Sequence, residues 1–307
     1  MTVVVCPGQG AQKVGMGRDL AERFPAARDT FAAIDDALGV SLSRLMWEGP
    51  ESDLTLTHNA QPAILAHSAA VLAVAGDRLG DVVLGAGHSL GEYSAYVAAD
   101  ALAAADAARL VRRRGELMFE AGTARPGAMS AVLGLATADV EAACMEASAD
   151  GVLAVAANLN APDQTVISGD PAAVERAGDG CKARGAKRVI ALKVSGAFHS
   201  PLMAPAVDGL RAALPDVPFA DPRFPILANA SAEPVSTAND AKRLLVDQLT
   251  APVRWVASME AAARMHPGAR YVEVGPGNVL SGLVKRIVPG ATTVALGTAD
   301  DVERFLG

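Results

Sequence analysis

The sequence predicts an α/β protein, in which a large body with a mostly parallel sheet is interrupted by a small ferredoxin-like subdomain. Apolar, strand-like runs alternate with helical patterns, which is typical of a parallel sheet covered on both faces by helices. A middle stretch instead has the order β-α-β-β-α-β, which is the ferredoxin-like order. Of the 307 residues, 51% are hydrophobic but only 4% are aromatic, and this favours helices packed closely on a sheet.

The large body begins with TVVVCPGQGAQ, an apolar strand that enters a glycine-rich loop. A second buried strand is predicted in VVLGAGHS. Helical periodicity predicts helices over about residues 17–38, 60–78, 90–99 and 105–121.

The pattern changes after Arg125, where Pro126 and Gly127 follow. Strands are predicted in AMSAVLGL, VLAVAA, QTVISG and RVIALKV, and helices in TADVEAACMEAS and PAAVERAGDGCKARG. We therefore predict a subdomain over residues 126–194, inserted into a core formed by residues 1–125 and 195–307. The core has further strands in PILANAS and RYVEVG.

Charge, hydropathy and cysteine content exclude several classes of protein. A net charge of −7 argues against a nucleic-acid partner. The chain has no apolar run of the ~18 residues that a membrane span needs, and no basic segment that would begin a signal peptide. Its three cysteines are far apart and lack a CxxC spacing, so we expect buried free thiols in a reducing cytoplasm.

GAGHSLGEYSAY contains Gly-x-Ser-x-Gly, with Ser89 at its centre between a predicted strand and a predicted helix. This context is typical of a nucleophile elbow, and the amide of Leu90 at the helix start could stabilise an oxyanion. The pattern alone leaves two alternatives open. One is a plain glycine-rich turn, and the other is a nucleotide-binding loop built on the glycines between 85 and 91.

Arg114 lies on the apolar stripe of the long helix, four residues from Leu110 and from Met118. A buried guanidinium keeps its proton and needs an anion or several hydrogen bonds. It could therefore form a structural ion pair or bind a substrate carboxylate in bidentate fashion.

His199 follows the last strand of the insert and precedes a helix that Ser200 can cap. There it could take the Ser89 proton, or simply bond to nearby backbone. Gln9 lies in the loop after the first strand, where its amide could face that of Leu90, although a tight turn also explains that loop. His88 adjoins Ser89, and we expect its side chain to point away from that serine.

Seven motifs occur in a fixed order, namely PGQGAQ, THNAQPA, GHSLGEYSA, VRRRGELM, AFHSPLM, DQLTAPVRW and EVGPGNVL. Together they resemble the malonyl-CoA:acyl carrier protein transacylases and the related acyltransferase domains of fatty-acid and polyketide synthases. The resemblance runs from about Val3 to Ile287, nearly the whole chain, and implies a hydrolase-like α/β core with a ferredoxin-like insert.

The resemblance implies a ping-pong acyl transfer that uses a Ser-His dyad and needs no metal or other cofactor. Ser89 is the implied nucleophile and His199 its base, while the amides of Gln9 and Leu90 form the oxyanion hole. By the same resemblance, Arg114 is expected to bind the malonyl carboxylate. The backbone carbonyl of Gln248 orients the histidine, in place of the acidic third residue that these motifs lack.

Further residues are assigned to the substrate by the same resemblance. A phenylalanine at position 198 accompanies the choice of malonyl over methylmalonyl groups, because its ring occupies the space of an α-methyl group. His88 and Asn160 are expected to line the substrate site, and Asn158 matches the same segment of the cleft.

The implied partners are malonyl-CoA and acyl carrier protein. Because such carriers are acidic, we expect docking at a run of basic residues without acidic neighbours in sequence, namely Lys182, Arg184, Lys187, Arg188 and Lys193. A solvated charged face is the alternative for this run. The rival functions are a serine esterase or thioesterase, a nucleotide-binding module, and a non-catalytic homologue that only holds acyl thioesters.

Overall fold

The structure is a computed structural model that describes residues 1–149 and 151–307. The strands are β1 Thr2–Cys6, β2 Val82–Gly87, β3 Ala128–Leu133, β4 Ala154–Ala161, β5 Gln164–Gly169, β6 Arg188–Ala191, β7 Ile226–Leu227, β8 Pro234–Val235, β9 Arg270–Val274 and β10 Thr293–Leu296. The helices are α1 Arg18–Arg23, α2 Pro25–Leu38, α3 Leu42–Glu48, α4 Glu51–Leu54, α5 Thr57–Ala75, α6 Gly91–Ala98, α7 Ala104–Ala124, α8 Thr137–Ala147, α9 Pro171–Ala183, α10 Ala204–Ala213, α11 Ala238–Asp247, α12 Trp255–Met265, α13 Val279–Ile287 and α14 Ala299–Leu306.

The larger sheet, here called the core sheet, has the strand order β10-β9-β1-β2-β7-β8. Its neighbouring strands are parallel except at the β7–β8 pair. Alternate residues of β1 enter different clusters. Val4 and Cys6 pack with α5, α6 and α7, whereas Val3 and Val5 pack with α12 and α13. Helices therefore cover both faces, and the predicted mostly parallel α/β core is confirmed.

The smaller sheet, here called the small sheet, has the order β4-β5-β3-β6, and its neighbouring strands are antiparallel. Helices α8 and α9 pack together on one face of it. This order and connectivity confirm the ferredoxin-like insert that the pattern predicts. Strand β6 lies at one edge, where Ile190 is 43% and Leu192 38% exposed.

Several local expectations need correction. The helical pattern over 17–38 forms two helices, because Pro25 takes the first position of α2 and Phe24 has an extended backbone. PILANAS contributes only the two residues of β7, since the chain turns out of the sheet after Leu227. Strands β8 and β10 and helices α3, α4 and α11 to α14 were not predicted. The two strands and helices α3 and α4 are short segments with weak periodicity.

Contacts tie the small sheet to the core at more than one place. The amide of Leu159 in β4 donates to the carbonyl of Val253 (2.9 Å), and the Val253 amide donates to Ala157 (2.8 Å). Arg286 of α13 forms an ion pair with Asp163 in the β4–β5 turn. Among the described helices, none combines the length and apolar character needed to cross a bilayer.

Candidate active site

A sharp turn joins β2 to α6 and carries Ser89 with a left-handed backbone, at φ 53°. The two flanking glycines are sterically required. A Cβ on Gly87 would lie 1.9 Å from the backbone of Gly91, and a Cβ on Gly91 would lie 2.1 Å from the carbonyl oxygen of Cys6. This close approach of β2, α6 and β1 presents the serine at the carboxyl edge of the core sheet, where parallel sheets place their ligands.

His199 reaches this serine from the chain segment that follows the insert. Its Nε2 lies 2.8 Å from Ser89 Oγ, and its backbone is also left-handed, at φ 56°. The other ring nitrogen, Nδ1, lies 3.0 Å from the carbonyl oxygen of Gln248 and 3.2 Å from that of Ala251. Because both neighbours only accept, Nδ1 carries the proton, and Nε2 is left to accept the serine hydroxyl.

Burial controls the charge of this histidine, whose residue is only 4% exposed. Desolvation, with the nearby Arg114 cation and His88 adding to it, lowers the pKa of His199 to about 3. The ring is therefore neutral at pH 7, which is the state that a general base requires. Two carbonyls, rather than a carboxylate, orient it.

Arg114 is 1% exposed and lies beside the serine. Its Nη2 donates to Ser89 Oγ (3.1 Å) and to Gln248 Oε1 (2.8 Å), and its Nη1 donates to Gln61 Oε1 (2.7 Å). Burial lowers the pKa of Arg114, but a guanidinium remains protonated in proteins. All of these acceptors are neutral, so the expected alternative of a structural ion pair is not formed among the described residues.

Two backbone amides near Ser89 lack an acceptor among the described residues. In the described part of the chain, neither the Gln9 amide nor the Leu90 amide donates to another group. The side chain of Gln9 is held by Thr57, whose Oγ1 lies 3.3 Å from Gln9 Nε2 and 2.9 Å from Ser195 Oγ. These contacts fix the loop after β1 opposite the start of α6.

The small sheet contributes to the same cleft. His88 Nε2 lies 2.8 Å from Asn160 Oδ1 on β4, so the side chain beside the serine bonds to the insert rather than to Ser89. Asn158 and Asn160 are both buried. Phe198 directly precedes His199 and is buried in the cluster that covers one face of the core sheet.

Two buried polar residues of this site were missed at the sequence level. Asn229 follows β7 and accepts the amide of Ser89 on its Oδ1 (2.7 Å), and Glu92 lies behind it on α6. A charged residue on the apolar stripe of Glu92, Ala95, Tyr96 and Ala99 was the available signal for Glu92. Asn229 could have been found from its place at the end of a strand.

Two of the five basic residues in the run on the insert form ion pairs. Lys182 bonds to Asp179 (2.9 Å) and Arg184 to Glu146 (2.5 Å), and both acids lie outside the run in sequence. Within the described residues, Lys187, Arg188 and Lys193 form no ion pair, and they are exposed on and around the edge strand β6. The uncompensated charge is therefore concentrated at that edge.

Comparison with known proteins agrees with this geometry. The sequence model of the acyl transferase domain matches residues 3–299. The malonyl CoA-acyl carrier protein transacylase of Bacillus subtilis is 43% identical over 297 residues, covering 97% of this chain and 93% of the relative.

Solved structures give the same result. An acyl carrier protein S-malonyltransferase from Vibrio cholerae superposes with a TM-score of 0.93 at 41% identity, covering 99% of both chains. A malonyl-transacylase in complex with its type II PKS acyl-carrier protein has a TM-score of 0.94 at 42% identity, covering 99% of this chain and 98% of that one.

Proposed function

The chain belongs to the acyl transferase family, and from this membership we propose that it moves a malonyl group from malonyl-CoA to acyl carrier protein through a malonyl-serine at Ser89. The acceptor is the phosphopantetheine thiol of the carrier. The relatives that support this proposal are named for the same reaction, and one of them was solved with its carrier bound.

The observation that carries the proposal is the guanidinium of Arg114 at the nucleophile. It is buried, bonded only to neutral groups, and within hydrogen-bond distance of Ser89 Oγ. A free carboxylate on the acyl group would replace some of those neutral acceptors with a charged one, which forms the stronger hydrogen bond. Malonyl carries such a carboxylate, whereas a simple ester substrate does not.

The chemistry runs in two half-reactions. Ser89 Oγ attacks the thioester carbonyl while His199 Nε2 takes its proton, and the amides of Gln9 and Leu90 stabilise the oxyanion. The carbon–sulfur bond then breaks, and His199 returns the proton to the coenzyme A thiolate. The carrier thiol repeats these steps in reverse order on the malonyl-serine, so neither a metal nor a redox group takes part.

Phe198, His88 and Asn160 are proposed to shape the acyl site. The ring of Phe198 would occupy the space that an α-methyl group needs, which discriminates by only ~1–3 kcal/mol. Residues 126–194 form the proposed insert and carry Asn160. For location we propose the cytoplasm, since Cys6, Cys144 and Cys181 are buried, unpaired thiols.

The function is tested by incubating the protein with malonyl-CoA labelled in the malonyl group. We expect label on Ser89, retained until acyl carrier protein is added and then transferred to it. Ser89→Ala should abolish labelling, while Ser94→Ala, which removes a hydroxyl from the helix that follows the turn, should retain it. Rapid release of free malonate without the carrier would support the hydrolase instead.

The carrier is proposed to dock at the β6 edge. Exposed cations there have no acidic partner among the described residues, and an acidic carrier would supply one. Reversing the charge of Arg188 and Lys193 should raise KM for the carrier but not for malonyl-CoA.

The control for docking is Arg78→Glu, because Arg78 precedes β2 and so lies at the opposite, amino edge of the core sheet. An unchanged carrier KM in the double reversal would exclude this docking surface.

A further inference from the structure

A buried carboxylate lies beneath the nucleophile and has no part in the chemistry described above. Glu92 is 0% exposed, in the first turn of α6, three residues after Ser89. Its carboxylate forms no hydrogen bond with Ser89 Oγ or the His199 ring among the described residues. A fully buried carboxylate is costly unless its contacts compensate for lost hydration, so those contacts indicate its use.

Two residues donate to one oxygen of this carboxylate. Oε2 accepts from Gln248 Nε2 at 2.7 Å and from the backbone amide of Asn229 at 3.0 Å. The other oxygen, Oε1, has no partner among the described residues. Glu92 thus bonds to two chain segments that flank Ser89 in space, the segment after β7 and the end of α11.

Gln248 also bonds to three other residues of the active site and so links Glu92 to them. Its Oε1 accepts from Arg114, its Nε2 also donates to the Ser89 carbonyl (3.1 Å), and its own carbonyl accepts from His199. Because an ionised carboxylate only accepts, Glu92 forces the NH₂ end of the Gln248 amide towards itself. The oxygen end must then face Arg114.

Asn229 holds the other side of the elbow. Its Oδ1 accepts the Ser89 amide at 2.7 Å, and its Nδ2 donates to the carbonyl of Gly87 at 2.6 Å. The backbone of the strained serine is therefore held at its amide by Asn229 and at its carbonyl by Gln248. The Glu92 carboxylate in turn bonds to both Asn229 and Gln248.

We propose that Glu92 is a positioning residue for acyl transfer, which sets Ser89, His199 and Arg114 through its bonds to Gln248 and Asn229. The inference rests on the proposed function, because it concerns the same serine and histidine. It assigns Glu92 no contact with substrate.

We expect this role to depend on the charge of the Glu92 carboxylate as well as on its shape. Burial raises the pKa of Glu92 to about 7, so the carboxylate is near the midpoint of its titration at neutral pH. The ionisable groups that face it are Arg114 from α7 and, on its own helix, Tyr93 and Tyr96. Ionised Glu92 makes charge-assisted bonds and offsets part of the Arg114 charge, whereas protonated Glu92 does neither.

The test is Glu92→Gln, which keeps the size of the side chain and removes its charge. We expect kcat for malonyl transfer to fall by roughly 10- to 100-fold, the scale of a small misplacement of reacting groups. KM for malonyl-CoA should not rise, because an Arg114 without its opposing charge binds a carboxylate at least as well.

A pH series adds a second readout. In the wild type, Ser89 labelling should slow as the pH falls through about 7. In the Gln variant it should stay level there, since His199 does not titrate in that range.

The matched control is Glu273→Gln, another buried carboxylate, which binds the amides of Leu280 and Ser281 at the start of α13. It should keep the wild-type kcat. The proposal is overturned if the Glu92 variant has the wild-type kcat, if both variants lose activity equally, or if wild type and Glu92→Gln show the same pH step.

Should the Gln variant not fold, Glu92→Asp keeps the charge but draws it back by one methylene. Slower labelling by the folded Asp variant supports the proposal, and labelling at the wild-type rate overturns it. Failure of the proposed function gives a different result, because then the wild type itself takes no malonyl label on Ser89.

Discussion

Arg114 brings a positive charge into the protein interior beside Ser89, and its hydrogen-bond acceptors are two side-chain amides and a hydroxyl. Gln61 and Gln248 hold the guanidinium so that one edge remains directed at Ser89. Under the proposed function, an acyl group with a carboxylate would gain a charged hydrogen bond there, and one without it would not. We therefore expect selectivity for malonyl over acetyl to depend on this residue.

Arg114→Ala is expected to lower kcat/KM for malonyl-CoA by roughly 100-fold or more, the loss of about two charge-assisted hydrogen bonds. Acetyl transfer should fall less or increase, and its persistence would show that the variant is folded. Arg113→Ala, at the exposed neighbouring position, serves as the control and should change neither rate. An equal loss for both acyl groups would make Arg114 a structural residue.

His199 gives a prediction in pH. Its pKa is lowered by burial to about 3, so protonation should require a pH well below the ordinary value of 6.5. In ¹⁵N NMR spectra at pH 5, the His199 ring should still be neutral with its proton on Nδ1. A ring that becomes doubly protonated near pH 6.5 would contradict this assignment and would leave the serine without a base under mildly acidic conditions.

The residues of the site differ in how far sequence could identify them. Three residues of the site have a local sequence pattern that indicates their chemistry. Ser89 lies in an elbow, Arg114 is a charge on an apolar stripe, and His199 lies at a strand-to-helix junction. Asn229 bonds to the Ser89 amide across a chain separation of 140 residues. Ala251 bonds to the His199 ring through its backbone carbonyl, across 52 residues. Such pairings depend on strand order, which one sequence does not reveal.

Among the elements, the β2–α6 turn is the one with least tolerance for change. A Cβ added to Gly87 or to Gly91 would lie 1.9 or 2.1 Å from a backbone atom, which is about half of the normal contact distance. The backbone on both sides belongs to the core sheet or to the helix packed on it, so it cannot move away cheaply.

Gly87→Ala should therefore destabilise the protein by at least about 2 kcal/mol and abolish Ser89 labelling. Gly282→Ala is the matched control, because that exposed glycine in α13 has open space around its Cα. Removing its backbone freedom should stabilise the protein by about 0.4–1 kcal/mol. Thermal unfolding of both variants measures these effects, and similar shifts in Tm would contradict the steric argument.

The order of elements in the insert and the presence of the long helix α7 agree with the prediction. Their ends differ from it by up to four residues, as at the end of β4. Strands β7, β8 and β10 have two to four residues each, and such short runs do not differ from loops in composition. They are strands because each pairs with a neighbour in the core sheet, β7 with β2, β8 with β7 and β10 with β9.

At the scale of the whole molecule, the insert and the core share an extended interface. Backbone bonds at Val253, the His88–Asn160 contact and the Arg286–Asp163 ion pair all cross it. The ends of the insert also run close together, since a Cβ on Gly122 would lie 2.1 Å from the carbonyl oxygen of Ser195. The cleft therefore lies between the core and the insert, and these contacts fix the position of one relative to the other.

We accordingly expect one cooperative unfolding transition. Both tryptophans, Trp47 and Trp255, belong to the core, so their fluorescence reports on that body, whereas far-ultraviolet circular dichroism reports on both. The two signals should change together in urea. A circular dichroism change that precedes the fluorescence change would show that the insert unfolds alone.

The edge strand β6 has a consequence for the behaviour of the protein at high concentration. Its outer backbone groups and the exposed Ile190 and Leu192 could pair with the same strand of a second molecule. The cations at Lys187, Arg188 and Lys193 should repel such a copy, and under the docking proposal they would attract an acidic carrier instead. We therefore expect that neutralising them to weaken carrier binding would also promote aggregation.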